Sequence, residues 1–230
     1  MARRTKEEAA ITREQLLDAA ERVFRERGVA GSTLAEVAAA AGVTRGAVYW
    51  HFRDKADLYA AMCERATLPL ESMLHAASVA RQDDPLASLR ELALTALKRL
   101  AGDPHAQAVF DLMFHECERG ADLGPLAERR RRERCHALLK VESVLAQAVD
   151  AGQLPKDTDT SLAALTLHAY IHGVMHEWLL DPSAFDLAAL APALIDAMLA
   201  GLRVAPPRNA CVADAASRAL APEKTAAGEA

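Results

Sequence analysis

Residues 34–53 read LAEVAAAAGVTRGAVYWHFR, and this stretch decides the fold. Thr33 and Glu36, three apart ahead of a short apolar run, form the capping box that starts a helix. Ala38 falls where a second helix crosses closely and only a small side chain fits. Gly42 supplies the positive φ of a turn, and Val48 faces inward from the helix that follows. Residues of these types at these intervals make a helix-turn-helix. TRGAVYWHF then puts Arg45, Tyr49, Trp50 and His51 on about two turns of helix, a rod matched to the ~12 Å major groove of DNA. A helix this short that served only to pack would not place two large aromatics, an Arg and a His on its outer face. Thr44 at its cap and Arg45 in its first turn suit phosphate or base-edge contacts. Gly46 removes bulk where the backbone approaches the groove. Tyr49 and His51 can donate to phosphate oxygens or touch a thymine methyl, and Lys55 adds a phosphate contact. The candidate DNA-binding set is Thr33, Thr44, Arg45, Gly46, Tyr49, Trp50, His51 and Lys55. Val48 and Phe52 hold the helix to the head. Burial competes as an explanation for both aromatics, more strongly for Trp50 than for Tyr49.

Outward from this motif the chain reads as helix throughout. Ala and Leu dominate, β-branched runs are absent, and apolar residues recur at helical spacing. Upstream, Ile11 to Gly28 carries a stripe at Leu16, Leu17, Ala20, Val23 and Phe24 and ends on Gly28 as an αL stop. Thr12 and Gln15 are expected to cap it, with Ile11 and Leu16 as the hydrophobic staple. Downstream, Asp54 caps a long helix running towards Leu74, in which Pro69 threatens a kink. Asp84-Pro85 and Asp103-Pro104 are caps followed by proline at the first helical position. Further helices are expected from about Pro125 to Gly152, Thr160 to Leu180 and Asp186 to Leu202, with Pro192 delaying the regular part of the last. The fold class is all-α with about nine helices. A DNA-binding domain spans 1–55, with an arm at 1–10 and the helix-turn-helix at 33–52. A helical body spans 56–203, and the Ala- and Pro-rich 204–230 is expected to be a disordered tail.

Composition removes other classes. The 230 residues carry a net charge of −5, but the balance is uneven. Met1 to Lys55 holds ten basic and eight acidic side chains, while the remaining 175 residues hold 17 and 24. A mildly basic head on an acidic body fits a protein in which only the head meets phosphates. No apolar run is read as long enough to span a bilayer, and the basic N-terminus lacks the apolar core of a signal peptide. Cys63, Cys117, Cys135 and Cys211 form no CxxC pair, as expected of reduced thiols in a cytoplasmic protein. No GxSxG, P-loop, HExxH or dinucleotide fingerprint marks an enzyme or a cofactor site.

The opening RRTKEEA…TREQLLDAAERVFRERGV, the TLAEVAAAAGVTRGAVYWHFRDKADL that follows, and the later FHECE and GVMHEWLL resemble the tetracycline-repressor (TetR) family over about Arg3 to Leu202. Within it they resemble the AcrR/TtgR-like regulators of multidrug efflux pumps. That resemblance implies a homodimeric repressor whose last two helices pair across a two-fold axis, presenting two recognition helices to successive major grooves of a palindromic operator. It also implies a flexible arm with Arg3, Arg4 and Lys6, and a body cavity for small hydrophobic drug-like inducers. Matched by position, Phe110, Phe114, Ile171, His172 and Met175 fall on the cavity wall. Met113 and Cys117 flank the aromatics, and Thr67, Leu70 and His168 complete the set. Some relatives place a carboxylate where this chain has Thr67, with Glu64 and Glu71 as nearby substitutes. An aromatic stripe is also what a plain core looks like, so Phe110 and Met175 are read either way. The fourth helix, joining head to body, is the expected lever: a ligand that widens the body separates the heads.

Two alternatives remain open. A single metabolite could be the effector on the same fold. His168, His172 and His176 stand at i, i+4 and i+8, which invites a metal-sensing reading with His115, Cys117 or His136. The outer two are ~12 Å apart along the helix and cannot share an ion. The basic run Arg129 to Arg132 with Arg134, flanked by Glu128 and Glu133, is expected to be a solvated ion-paired helix rather than a second DNA site.

Overall fold

The computed structural model describes residues 6–81, 83–118 and 124–208, with the side chains of 6, 115–118 and 124–126 excepted. Among the described residues it is a chain of nine helices: α1 (Lys6–Arg27), α2 (Leu34–Ala40), α3 (Arg45–His51), α4 (Lys55–Val79), α5 (Pro85–Gly102), α6 (Pro104–Glu118), α7 (Gly124–Asp150), α8 (Thr160–Leu180) and α9 (Leu187–Val204).

Local chemistry accounts for most boundaries. The Thr33 side chain accepts from the Glu36 N–H while the Glu36 carboxylate accepts from the Thr33 N–H, the complete capping box. Thr44, Asp54, Asp84, Asp159 and Asp186 cap α3, α4, α5, α8 and α9 through their side-chain oxygens. Gly28 and Gly42 adopt φ of 72° and 68°, where a β-carbon would be strained, and end α1 and turn α2 into α3.

Four expectations are corrected. α1 begins at Lys6, so Thr12 lies inside the helix, and its hydroxyl donates back to the Glu8 carbonyl at 2.9 Å instead of capping. α4 runs through Pro69 and past the expected end near Leu74 to Val79, and α9 runs through Pro192 from Leu187. Each proline forgoes one backbone bond that packing elsewhere along these long helices offsets. Finally, Leu187–Val204 is long and apolar enough, by length and composition, to cross a bilayer. Its apolarity has another use: Leu187, Ala191, Ile195, Leu199 and Leu202 bury one face in the core, while Asp196 takes a bidentate bond from Arg90 of α5. The expected tail falls from residue 209 onward outside the described residues, as do residues 1–5 of the arm.

The side chains bury two cores. The first joins α1 to α4 around Leu16, Phe24, Val37, Val48, Phe52 and Tyr59, and takes in Val109 and Leu112 from α6. The second joins α5 to α9 around Leu97, Phe110, Leu145, Trp178 and Ile195. Met113 of α6 packs against both. Each fully buried Leu, Phe or Ile contributes about 1.5–3 kcal/mol relative to exposure.

Candidate nucleic-acid interface and ligand wall

α3 is held by its inner face alone. Val48 is its buried residue, Phe52 follows it into the core, and the Val43 N–H donates to the Ala38 carbonyl at 3.0 Å to close the turn. This anchoring drives the outer face into solvent: Tyr49 is 62% and Trp50 72% exposed. Trp50 is thus the more exposed of the two, against the expectation that burial explained it better. Its indole meets the His51 ring edge-on, with centroids 4.6 Å apart. Thr44, Arg45 and Gly46 are also exposed, and a β-carbon at Gly46 would meet only the Thr44 hydroxyl, at 3.9 Å. The structure therefore brings Thr44, Arg45, Gly46, Tyr49, Trp50 and His51 onto one short rod.

Thr33 and Lys55 have structural partners of their own. Thr33 is engaged in the α2 cap, and the Lys55 ammonium donates to the carbonyls of Ala30 and Ser32 at 2.9 and 2.8 Å, tying the start of α4 to the α1–α2 connection. Arg53 went unremarked in the sequence. Its side chain is 87% exposed one residue beyond α3's C-cap, and its guanidinium is steadied by Asp57 at 3.4 Å. Its place directly after the YWHF run is the signal that could have found it. Around the head, the Arg22 side chain donates to the Ala40 carbonyl at 3.2 Å and Arg13 lies over the Phe52 ring at 5.6 Å.

In the body, the structure gathers part of the expected wall. Phe114 of α6 meets His172 and His176 of α8 with ring centroids 5.8 and 5.2 Å away, and the His168 ring lies tilted by 39° against His172 at 4.0 Å. Burial, with help from His168, Arg130 and Arg134, pushes the His172 imidazole down to about 4, so at neutral pH it is an uncharged hydrogen-bonding group. Burial likewise lowers His168. Arg130 of α7 donates to the Met113 carbonyl at 2.9 Å, bringing a cation beside the same cluster. Phe110 and Met175 are buried in the body core, and Ile171 and Met113 pack half-buried against it. On α4, Thr67 and Leu70 are half-buried, and the Thr67 hydroxyl donates to Glu71 at 2.9 Å. Cys117 lies outside the described side chains. Among the described residues no group of three His, Cys, Asp or Glu is arranged to hold a metal ion. The Arg-rich start of α7 is ion-paired: Arg129 with Glu133 and Glu64, and Arg131 and Arg132 with Glu128.

Elsewhere an apolar groove of about 600 Å³ opens along α8 and α9, lined by Ala169, Tyr170, Gly173, Val174, Leu190 and Leu194 among others.

Residues 16–62 match the model described as bacterial regulatory proteins, tetR family, and residues 84–204 match that of the MAATS-type transcriptional repressor, C-terminal region. The chain is 38% identical over 206 residues to the HTH-type transcriptional regulator TtgR of Pseudomonas putida, covering 90% of this chain and 98% of that one. Its structure is similar to that of NalD, the secondary repressor of the MexAB-OprM multidrug efflux pump in Pseudomonas aeruginosa. There the TM-score is 0.75 at 34% identity, over 87% of this chain and 100% of NalD. It is similar also to SmeT of Stenotrophomonas maltophilia in complex with triclosan, with a TM-score of 0.74 at 34% identity, over 83% and 91% of the two chains.

Proposed function

The chain belongs to the tetR family of bacterial regulatory proteins, and on that premise we propose that it is a ligand-responsive repressor of a multidrug efflux operon. It binds a palindromic operator as a homodimer in the cytoplasm and is released by small hydrophobic, drug-like inducers. Residues 1–55 are its DNA-binding domain and 56–203 its ligand-binding and dimerisation domain.

The observation that carries this reading is the outer face of α3, where Tyr49 and Trp50 stand in solvent while Val48 and Phe52 fix the helix from behind. Exposed aromatics on so short a helix have no folding role and suit a groove. Thr44, Arg45, His51 and the neighbouring Arg53 supply donors to phosphates or base edges, Gly46 gives close approach, and Thr33 and Lys55 brace the motif. Phe110, Met113, Phe114, Cys117, Ile171 and Met175, with Thr67 and Leu70 on α4, wall the inducer site, and His168 and His172 are its polar groups. The apolar α8–α9 groove is the surface a second copy covers.

A footprint of the DNA upstream of the chain's own gene tests the reading. Protection of a two-fold symmetric site by the purified protein, relieved by triclosan or another apolar drug, is the expected outcome. Protection that unrelated DNA competes away equally well would count against a repressor.

A further inference from the structure

α1 carries Glu14, Asp18 and Glu21 at intervals of four and three residues, so the three carboxylates share one face of the helix. Arg65 of α4 lies across that face, with Nη1 donating to Glu14 at 3.1 Å and to Asp18 at 2.7 Å, and Nη2 standing 3.8 Å from Glu21. From α6, His105 Nδ1 donates to Glu21 Oε2 at 2.8 Å. Glu21 is 6% exposed, the one charged residue buried among the described ones, and both cations that serve it come from other helices. A carboxylate buried in this way is costly to leave short of a partner.

α6 is built to carry a displacement to this point. His105, Val109 and Leu112 lie within 60° of one another around its axis at 100° per residue, and Val109 and Leu112 belong to the head core. Phe110 and Phe114 lie on the opposite side, against the body core and the α8 imidazoles, and Met113 between the two faces touches both cores. α6 thus links the aromatic wall of the body to the His105–Glu21 contact in the head.

We propose that Glu21, Arg65 and His105 form the joint through which the body holds the head in its unliganded orientation, with His105 a positioning residue that acts on operator affinity through Glu21. This rests on the repressor reading. It adds a specific contact, His105 on Glu21, through which the orientation of the head is sensitive to protonation.

The charged groups around His105 settle the sign. α1 presents Glu21 and Asp18, and α4 presents Arg65. At the α5–α6 junction Asp103 accepts the His105 backbone N–H at 3.0 Å, and Arg99 of α5 pairs with Asp103 at 3.5 Å. The α8 imidazoles meet α6 nine residues further along, at Phe114. The hydrogen bond it donates to Glu21, then the Glu21 charge, hold the His105 imidazole above the usual histidine range. The joint is thus fully made below the ordinary histidine value of about 6.5 and is lost as pH rises through the raised one.

The test is fluorescence anisotropy with a labelled duplex carrying the footprinted site, over roughly pH 5.5 to 8.5. Wild-type protein should lose about two- to five-fold in affinity as pH rises, the range open to a solvent-screened pair. His105→Gln and Glu21→Gln should each flatten that step, and the double variant should match the single ones. His105→Lys, charged throughout, should keep tight binding at the alkaline end. Thermal melting and gel filtration at neutral pH confirm that each variant keeps its fold and dimer, and His105→Lys keeps the question answerable if His105→Gln does not. A step that survives in His105→Gln, effects of the two single variants that add, or a His105→Lys profile like that of wild type overturns the joint. A wild-type chain that protects no DNA defeats the repressor reading and this one with it. One that protects DNA but fails the variant comparison defeats the joint alone.

Discussion

Head and body put their chemistry on opposite sides of their helices. α3 buries Val48 and turns Tyr49 and Trp50 outward, 62% and 72% exposed. α6 does the reverse, burying Phe110 and tucking Phe114 against His172 and His176. An aromatic held in water asks for an explanation that folding cannot give, whereas one held inside already has one. Function in the head is therefore separable from stability, and function in the body is entangled with it. Substitutions at four positions press on that contrast.

The largest effect leaves both regions folded and parts the two copies. Leu190 lines the α8–α9 groove and is 45% exposed in the protomer, so Leu190→Arg costs the single chain little. It places a charge in the surface assigned to the partner. Gel filtration should show a monomer, and operator affinity should fall about 10²–10⁴-fold, the avidity that two linked heads confer. A variant that stays dimeric and binds normally would move the dimer interface elsewhere.

Entanglement in the body is sharpest at His172. With its folded value near 4 and an ordinary value of about 6.5 when unfolded, the unfolded chain takes up the proton first as pH falls. The stability tied to the neutral imidazole is whole above pH ~6.5 and drains away down to pH ~4, by about 3 kcal/mol. Urea unfolding at either end of that window should show His172→Gln losing less than wild type by about that amount. Equal losses would mean that the imidazole is hydrated and the pocket open to water.

In the head the same kind of substitution should cost binding and spare the fold. Tyr49→Ala should lower operator affinity by about 1–3 kcal/mol, the worth of one good groove contact. Its melting temperature should stay where it was, as expected for an exposed side chain away from caps and core. A drop in melting temperature with no change in the footprint would return Tyr49 to a packing role.

This contrast also governs what could be read from the amino acids. Caps are local, three or four residues long, so Thr33–Glu36, Thr44, Asp54 and Asp84 were legible and set the helix order. Thr12 matched the same pattern and failed, because six more residues upstream continue the helix and a cap needs an end to sit on. The recognition helix was legible because its composition is improbable for a core. The wall proposed for the body could be drawn only through resemblance, since Phe110 and Met175 fill a core as well as they would line a cavity. The Glu21–Arg65–His105 cluster was invisible: its members are 40 or more residues apart, and only packing α1 against α4 and α6 brings them together.

Thr33 gives the finest test, because it was expected both to cap α2 and to touch DNA, and the structure shows the cap. Its hydroxyl oxygen accepts from the Glu36 N–H at 3.2 Å, and its own N–H donates to the Glu36 carboxylate at 2.8 Å. Thr33→Ala removes the first bond and leaves the second, so stability should fall by about 1 kcal/mol, as for other lost caps. Thr33→Ser keeps the oxygen and should restore it. If the cap is all that Thr33 contributes, operator affinity of folded Thr33→Ala stays within about two-fold of wild type, because α3 is anchored separately through Val48 and Phe52. Should affinity fall further while Thr33→Ser recovers both properties, the hydroxyl serves the cap and a phosphate together. The border between structural and DNA-facing residues would then run through α2 rather than along the outer face of α3.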